Sequence, residues 1–377
     1  MSFGFLSESG FLILLFCFSV SLVGTPIARE LAHRFGVLDR PRPGATTKVH
    51  AKPTAYLGGV FIFVALAVGI ISTLNAVGNI RGEAEIKAAD MLTAVNLPWV
   101  FIAVTFIFFV GLTDDFLGLS ERRAGMHPGI KMLMLAIGGT ILFFAGVKVG
   151  FMPLDILNYP LTIFWILGIT NAANVIDNMN GLSSGSGIVA GFFYLIIGYW
   201  NSDPVTIGLA LTLIGTMLGF LPYNYPKASI FLGDSGSITH GFYLSLLGLL
   251  AGRPSIVHGH ALTGTLAAIF VLMFFVFDTW FVALSRGKRK INFWWGGLDH
   301  TSHRLNNLGF SKSFAVAVCW IFGILFGMVA IVIYQVIWWF AIPFALGCFL
   351  GALRFWVWLN KVPIEEVDIG LLGARRK

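Results

Sequence analysis

The chain has 377 residues, of which 57% are hydrophobic and only 11% are charged, and its formal net charge is +7. Soluble domains carry about 25% charged residues, so this composition cannot cover a water-facing surface and excludes a soluble fold. The same numbers exclude intrinsic disorder. The composition therefore predicts an all-α, polytopic integral membrane protein, because lipid-facing helices need no charged outer surface.

Stretches of about 20 mainly apolar residues, the length that crosses a bilayer, recur along the whole chain. No internal repeat is evident, so residues 1–377 are interpreted as a single transmembrane domain. The long charge-free run near the end is divided into two helices around Pro343. In total 11 transmembrane helices are predicted, near 10–28, 56–78, 95–113, 130–149, 160–177, 185–200, 204–221, 235–250, 261–284, 313–334 and 337–357.

The basic residues fall almost entirely on one set of loops, which holds 21 of the 25 Lys and Arg residues. Cytoplasmic loops carry an excess of Lys and Arg, so this set is predicted to be cytoplasmic, with the N-terminus outside and the C-terminus inside. The positive charge is explained by topology and does not indicate a nucleic-acid partner. The set comprises loops 29–55, 114–131, 178–184, 222–234 and 285–312 and the tail from Arg354.

Two adjacent carboxylates, Asp114 and Asp115, end the third predicted helix. Negative charge at a helix C-terminus is disfavoured by the helix dipole, and the two groups repel each other, so we expect a compensating cation. Mg²⁺ is a natural candidate because it prefers oxygen ligands alongside phosphates. Lys131 opens the following helix and is a second candidate. An exposed acidic helix end is the alternative.

An Asn-rich run ends the fifth predicted helix, from Asn171 to Leu182. Asn171, Asn174 and Asn178 are spaced three and four residues apart, so they are expected to share one helical face. Asp177 lies just off that face. The pattern indicates either a row of oxygen ligands or a set of hydrogen bonds that hold helices together.

A turn of small residues, Gly233-Asp234-Ser235-Gly236-Ser237, precedes the eighth predicted helix. Its Asp234 follows Asn224, which lies in a short loop, by ten residues. A helix N-terminus of this kind presents backbone N–H groups to an anion. A carboxylate within it can hold a metal ion that bridges phosphate oxygens. An ordinary Asp or Ser helix cap is the alternative.

Two further loops carry cationic and imidazole groups. In the last loop, His300 and His303 would share a face if the segment is helical, but two His residues without a third ligand make a poor zinc site. Phosphate or sugar contacts are therefore favoured over zinc or an incidental pair. In the first loop, the basic residues either attract anionic headgroups and phosphates or only enforce topology. The candidates are Lys48, His50 and Lys52 in the first loop, and Asp299, His300, His303 and Arg304 in the last.

Five motifs in this order resemble the polyprenyl-phosphate N-acetylhexosamine-1-phosphate transferases, and the topology is similar to the WecA/TagO branch of that family. The family also includes MraY and the eukaryotic dolichyl-phosphate GlcNAc-phosphotransferase. The resemblance covers about residues 39 to 305. The five motifs are the basic loop ending in Gly58-Gly59, the Asp114-Asp115 pair, the Asn171–Leu182 run, Asn224 with the Gly233–Ser237 turn, and the Asp299–Leu305 run.

The resemblance implies a defined reaction. A UDP-sugar, with UDP-GlcNAc favoured, donates its sugar 1-phosphate to polyprenyl (undecaprenyl) phosphate in the bilayer, giving polyprenyl-diphosphate-sugar and UMP. The cofactor is Mg²⁺, with Mn²⁺ as a substitute. The site faces the cytoplasm from the inner (plasma) membrane. Because relatives are often dimers, a homodimer is one option for the assembly.

The resemblance also implies roles for residues. Asp234 and Asn174 would lie near the metal and the diphosphate, and Asp114 and Asp115 would activate the acceptor. Cations would neutralise phosphates, and the last motif would hold the donor. The implied substrate contacts are Lys48, His50, Lys52, Lys131, Asn171, Asp177, Asn224, Asp299, His300, His303 and Arg304.

The chain departs from the bacterial pattern at several positions. Many bacterial members read Asp-Gly-x-Asp-Gly where this chain has Asp177-Asn178-Met179-Asn180-Gly181, and Ser302 stands where His is commoner. The Thr-Pro-Thr-Met-Gly-Gly stretch of MraY is absent, which favours UDP-GlcNAc over UDP-MurNAc-pentapeptide. An MraY-like transferase remains the alternative within the family. A transporter of polyprenyl-linked sugars is the alternative from another class, and a silent receptor is a third.

Overall fold

A computed structural model describes residues 5–40, 53–83, 95–119, 125–152, 154–253, 261–290, 292 and 297–364. The predicted phosphate contacts Lys48, His50 and Lys52 lie outside these residues. The helices are α1 (Phe11–Phe35, after a π turn at Phe5–Gly10), α2 (Gly58–Glu83), α3 (Leu97–Leu119), α4 (Pro128–Phe144), α5 (Asp155–Val175), α6 (Leu182–Trp200), α7 (Pro204–Asn224), α8 (Gly233–Ala251), α9 (Ala261–Val271), α10 (Met273–Lys288), α11 (Thr301–Asn307), α12 (Lys312–Gln335) and α13 (Trp338–Leu359).

Each predicted membrane span coincides with a helix, except that the ninth is broken into α9 and α10, which are bent by 66°. Within the described residues, eight helices are long and apolar enough to cross a membrane, or nine if the bent pair is one span. The other two are α4, which has only 17 residues, and α8, which begins with Gly, Asp and Ser. The all-α, multi-pass membrane architecture is thus confirmed. The count of eleven crossings and their orientation stay predictions.

Helix α8 lies at the centre of the bundle. It packs most extensively against α3 and α5 and also against α2 and α6, and nearly all of its residues are buried. Small residues permit this close packing, as they do between membrane helices. A Cβ atom on Gly241, for example, would lie 2.8 Å from the carbonyl oxygen of Thr170 on α5.

The N-terminal turn of α8 is enclosed by glycines of two other helices. A Cβ on Gly59 of α2 would lie 2.3 Å from the backbone nitrogen of Gly236, and one on Gly111 of α3 would lie 2.6 Å from the carbonyl oxygen of Asp234. The segment just before α8 is also held in place, because the Phe231 N–H donates to the Ala55 carbonyl at 2.9 Å. The Gly58-Gly59 motif therefore lets α2 approach the backbone of this turn. Ala55 belongs to a short antiparallel pair formed by β1 (Leu38–Asp39) and β2 (Thr54–Ala55).

Gly59→Ala is expected to displace α2 from α8, because the added methyl group meets backbone that cannot move aside. Overpacking of this kind costs about 1–3 kcal/mol, so the midpoint of thermal unfolding in detergent should fall. Gly78→Ala is the matched control, because it lies on the same helix and its Cβ would have nothing within 4 Å. Equal midpoints for the two variants would contradict the predicted close approach.

Candidate active site

Four helix ends bring acidic, basic and amide side chains together. Asp114 and Asp115 end α3, Lys131 begins α4, Asn174 ends α5 and Asp234 begins α8. The Lys131 ammonium lies 2.9 Å from Asp114 Oδ2 and 3.5 Å from Asp234 Oδ1. Asn174 Nδ2 donates to Asp234 Oδ1 at 2.6 Å. We call these five residues the carboxylate cluster.

Asp115 caps the N-terminus of α8 from another helix. Its Oδ1 accepts the N–H of Asp234 at 2.6 Å, and its Oδ2 accepts the N–H of Ser235 at 2.9 Å. These N–H groups have no partner within their own helix, so a carboxylate is a favourable acceptor for them. Gly233 has φ 72, and a Cβ there would lie 2.9 Å from Asp115 Oδ2. Asp115 therefore fixes the backbone that carries Asp234.

The Asn-rich run does not form one continuous face. Helix α5 ends at Val175, so Asn178 lies in the turn beyond it, and the expected common face with Asn171 is wrong. Asn178 Nδ2 bonds back to the Val175 carbonyl at 3.2 Å, and such local side-chain bonds compete with helix continuation. Asn171 Nδ2 donates to its own helix at the Leu167 carbonyl, at 2.6 Å. Of the three, Asn174 is the one whose side chain contacts Asp234.

Asp177 lies beside the cluster, in the turn after α5. Burial raises the pKa of its carboxyl group to about 7, and the negative charge of Asp234 contributes to the same shift. Two neighbouring carboxylates in a poorly hydrated region need either a shared proton or a cation. A protonated Asp177 or a bound cation would each meet this requirement.

Asn224 joins the two turns that flank the cluster. Its Oδ1 accepts the N–H of Gly181 at 2.7 Å, and its Nδ2 donates to the Ile230 carbonyl at 3.0 Å. The side chain is buried. Both ends of the amide are used in linking the turn after α5 to the segment before α8, so the geometry assigns Asn224 to the scaffold and does not support its predicted substrate contact.

The last motif, residues 299–304, is called the His turn. Asp278 on α10 holds its start, because Asp278 Oδ2 lies 2.8 Å from His300 Nδ1 and Oδ1 accepts the Thr301 N–H at 2.7 Å. Asp299 pairs with Arg286, whose Nη2 lies 2.7 Å from Asp299 Oδ1. Burial raises the pKa of Asp299, but the hydrogen bond and charge of Arg286, together with the charges of His300 and Arg289, outweigh burial and leave the pKa below its usual value. Asp278 was missed as a site residue, although a charge inside an apolar span was the available signal.

Arg304 is buried and its guanidinium is fully engaged by the protein. Nη1 donates to the carbonyl oxygens of Val362, at 2.7 Å, and Asn360, at 3.2 Å. Nη2 donates to Ser285 Oγ at 3.0 Å, and the group lies 4.9 Å over the Phe281 ring. The geometry thus does not support the predicted donor contact by Arg304. Instead Arg304 ties the end of α13 to the His turn.

The His303 imidazole is available to a ligand. Its ring lies 6.1 Å from the His300 ring, as expected for two residues on one face. Within the described residues, the His303 ring forms neither a hydrogen bond nor an ion pair. Burial lowers the pKa of His303 to about 4, with a further contribution from the His300 charge. His303 is therefore neutral at pH 7 and can contact a donor by hydrogen bonding.

The low pKa of His303 predicts loss of stability in acid. Below pH 6.5 the unfolded chain takes up a proton here, whereas the folded protein does so only near pH 4. The free energy of unfolding should therefore fall as the pH drops through this window, by up to about 3 kcal/mol from this group. His303→Gln should reduce the slope of melting temperature against pH. Identical slopes for wild type and variant would contradict the assignment.

The donor set fits Mg²⁺ better than zinc. Among the described residues, no group of three or more His, Cys, Asp or Glu side chains could hold a metal ion, as structural zinc requires. Mg²⁺ needs only one or two carboxylates together with substrate phosphates, and Asp234 and Asp177 are the carboxylates that could hold it. Asn174 presents its nitrogen to Asp234, and its oxygen lies 3.5 Å from Lys131 Nζ. Asn174 could ligate a cation only through that oxygen.

Comparison with known proteins identifies relatives of this chain. Residues 97–252, which contain the carboxylate cluster, match glycosyl transferase family 4. The chain is 29% identical over 317 residues to a probable undecaprenyl-phosphate N-acetylglucosaminyl 1-phosphate transferase of Bacillus subtilis (strain 168), covering 83% of this chain and 81% of that protein. The resemblance to the polyprenyl-phosphate N-acetylhexosamine-1-phosphate transferases is thereby confirmed.

Two further relatives separate the branches of this family. A decaprenyl-phosphate N-acetylglucosaminephosphotransferase of Mycolicibacterium smegmatis is 26% identical over 338 residues, covering 84% of this chain and 80% of that protein. A phospho-N-acetylmuramoyl-pentapeptide-transferase of Streptococcus suis is 30% identical over only 208 residues, covering 52% and 58%. The two N-acetylglucosamine-type relatives thus align with far more of the chain than the pentapeptide-type relative does.

Proposed function

We propose that this protein transfers GlcNAc 1-phosphate from UDP-GlcNAc to undecaprenyl phosphate or a similar polyprenyl phosphate, releasing UMP. The observation that carries the proposal is the contact of Lys131 with both Asp114 and Asp234, which joins three helices at one charged centre. The chain-long similarity to N-acetylglucosamine-type transferases supports the donor.

The reaction joins two anions, so it depends on positioning and charge neutralisation. An oxygen of the lipid phosphate attacks the β-phosphorus of UDP-GlcNAc, and the bond from that phosphorus to the bridging oxygen breaks. UMP leaves with that oxygen. We assign Asp114 to orienting and deprotonating the lipid phosphate, and Lys131 to neutralising it. Asp115 serves as the cap that places Asp234.

We further propose that Mg²⁺, or Mn²⁺ in its place, binds at Asp234 and Asp177 together with the donor diphosphate. Bound there, it would neutralise developing charge on the phosphate oxygens. The like-charged carboxylates support this placement, because the charge of Asp234 contributes to the raised pKa of Asp177. His303 and His300 are proposed to face the donor.

We propose that the site faces the cytoplasm at the inner (plasma) membrane, because the loops that carry it hold most of the Lys and Arg residues. The homodimer implied by the resemblance stays a prediction. A transporter is less well supported, because transporter sites lie near the bilayer midplane between repeats, whereas the carboxylate cluster lies at helix ends.

UMP release by the purified protein in detergent tests the proposal. Polyprenyl phosphate, Mg²⁺ and either UDP-GlcNAc or UDP-MurNAc-pentapeptide would be supplied. UMP that requires both lipid and Mg²⁺, from UDP-GlcNAc but not from the pentapeptide donor, is expected. Turnover of the pentapeptide donor alone would establish the MraY-like alternative. No turnover of any donor, in protein that still binds the lipid, would favour transport.

A further inference from the structure

Two turns of the candidate site meet through one side-chain hydrogen bond. Ser302 Oγ donates to Asn178 Oδ1 at 2.7 Å, across 124 residues of sequence. Asn178 directly follows Asp177, which lies beside the carboxylate cluster. Ser302 lies in the His turn between His300 and His303. The bond therefore connects the part of the site near Asp234 to the part that carries the two imidazoles.

Both partners are held so that this bond is well defined. Asn178 Nδ2 donates to the Val175 carbonyl at 3.2 Å, which turns Oδ1 toward the His turn. Ser302 is only 1% exposed, and it lies in the first turn of α11. Asn178 is half-buried. Because water reaches the buried Ser302 hydroxyl poorly, loss of the Asn178 acceptor leaves that hydroxyl unsatisfied.

The other anchors of the His turn lie elsewhere. Asp278 holds His300 and Thr301 from α10, and Arg304 is bound to the end of α13. These contacts fix the turn relative to the C-terminal helices. Among the described residues, the Ser302–Asn178 bond is the hydrogen bond that joins the His turn to the turn after α5, where Asp177 lies.

The two side chains also suit each other in size and chemistry. Gly in place of Asn178 would supply no side-chain acceptor. His in place of Ser302 would need space that a residue 2.7 Å from Asn178 does not have.

We propose that Ser302 and Asn178 form a positioning pair that holds the His turn at the distance required by the sugar-phosphate donor. The inference rests on the proposed function and adds two positioning residues that determine how the donor is bound. The pair contacts the turns that face the donor, and it does not contact Asp114 or Lys131. Acceptor binding is therefore independent of the pair.

Alanine variants test the pair. Ser302→Ala and Asn178→Ala are each expected to raise the KM for UDP-GlcNAc about fivefold, as loss of one buried hydrogen bond does, with the KM for polyprenyl phosphate unchanged. The double variant should match either single one, because both remove the same bond. Ser313→Ala, the same chemical change on α12, is the control.

A reciprocal exchange tests the coupling. Ser302→His alone should weaken UDP-GlcNAc binding, measured by calorimetry without acceptor, at least about tenfold, since the larger ring meets Asn178. Adding Asn178→Gly should recover most of that loss. If the fold-changes of the two single variants multiplied in the double variants, the two residues would act independently and the proposal would be overturned. Equal changes in both KM values, together with a lower melting temperature, would also overturn it. Wild-type protein that neither binds nor turns over UDP-GlcNAc would instead overturn the proposed function.

Discussion

Asp234→Asn is expected to lower the rate of UMP release about a hundredfold to a thousandfold, the size of effect seen when a group that stabilises transition-state charge is removed. Asp234 is contacted by Lys131 and Asn174, and its backbone is held by Asp115. Neutralising it removes the charge that balances Lys131 and the proposed ligand for Mg²⁺. Rates should be measured at saturating donor, acceptor and Mg²⁺.

The control for this variant is Asp155→Asn. It makes the same change at an exposed carboxylate, paired with Lys148 at 2.6 Å, at the opposite end of α5 from Asn174. Its rate should remain within about twofold of wild type, since surface ion pairs contribute little. If Asp234→Asn retained more than a tenth of the wild-type rate, the carboxylate cluster would not be the reaction centre.

Asp115→Asn and Asp114→Asn are expected to fail in different ways. In the first variant, an amide nitrogen replaces one of the two oxygens that accept the N–H groups of Asp234 and Ser235. Two donors then face each other, which costs about 1–3 kcal/mol. The melting temperature and the rate should therefore both fall.

Asp114→Asn should chiefly reduce the rate. The variant keeps an oxygen to accept the N–H of Met126, which lies 2.6 Å from Asp114 Oδ1, but it loses the charge that faces Lys131. We expect a rate at least about a hundredfold lower. The melting temperature should fall less than in Asp115→Asn, because the new amide nitrogen faces the Lys131 ammonium but Lys131 keeps Asp234 at 3.5 Å. A large loss of stability in Asp114→Asn, with none in Asp115→Asn, would contradict the assignment of Asp115 as the helix cap and Asp114 as the base.

The helical architecture could be predicted because hydropathy alone decides which segments avoid water. The break between α9 and α10 could not, because Leu272 lies in an unbroken apolar run. The end of α5 at Val175 was also missed. There the side chain of Asn178 bonds to the Val175 carbonyl and competes with the hydrogen bonds that would continue the helix. The spacing of residues in the sequence gives no sign of this bond.

The membership of the carboxylate cluster followed from residue type and position at helix ends. The separate roles of its members could not be predicted from the sequence. Asp114 and Asp115 are adjacent in sequence and differ only in the groups that they contact after folding. The structural role of Arg304 could not be predicted from the sequence either. Its partners are backbone carbonyls of Asn360 and Val362, which no side-chain pattern can reveal.

The most direct test of the central claim follows the phosphate itself. UDP-GlcNAc radiolabelled at the β-phosphorus would be incubated with purified protein, polyprenyl phosphate and Mg²⁺, and the lipid and nucleotide products would be separated. Transfer of the sugar 1-phosphate predicts that the label enters the lipid product while unlabelled UMP is released. Label recovered in UDP, with the sugar alone on the lipid, would contradict the proposed reaction.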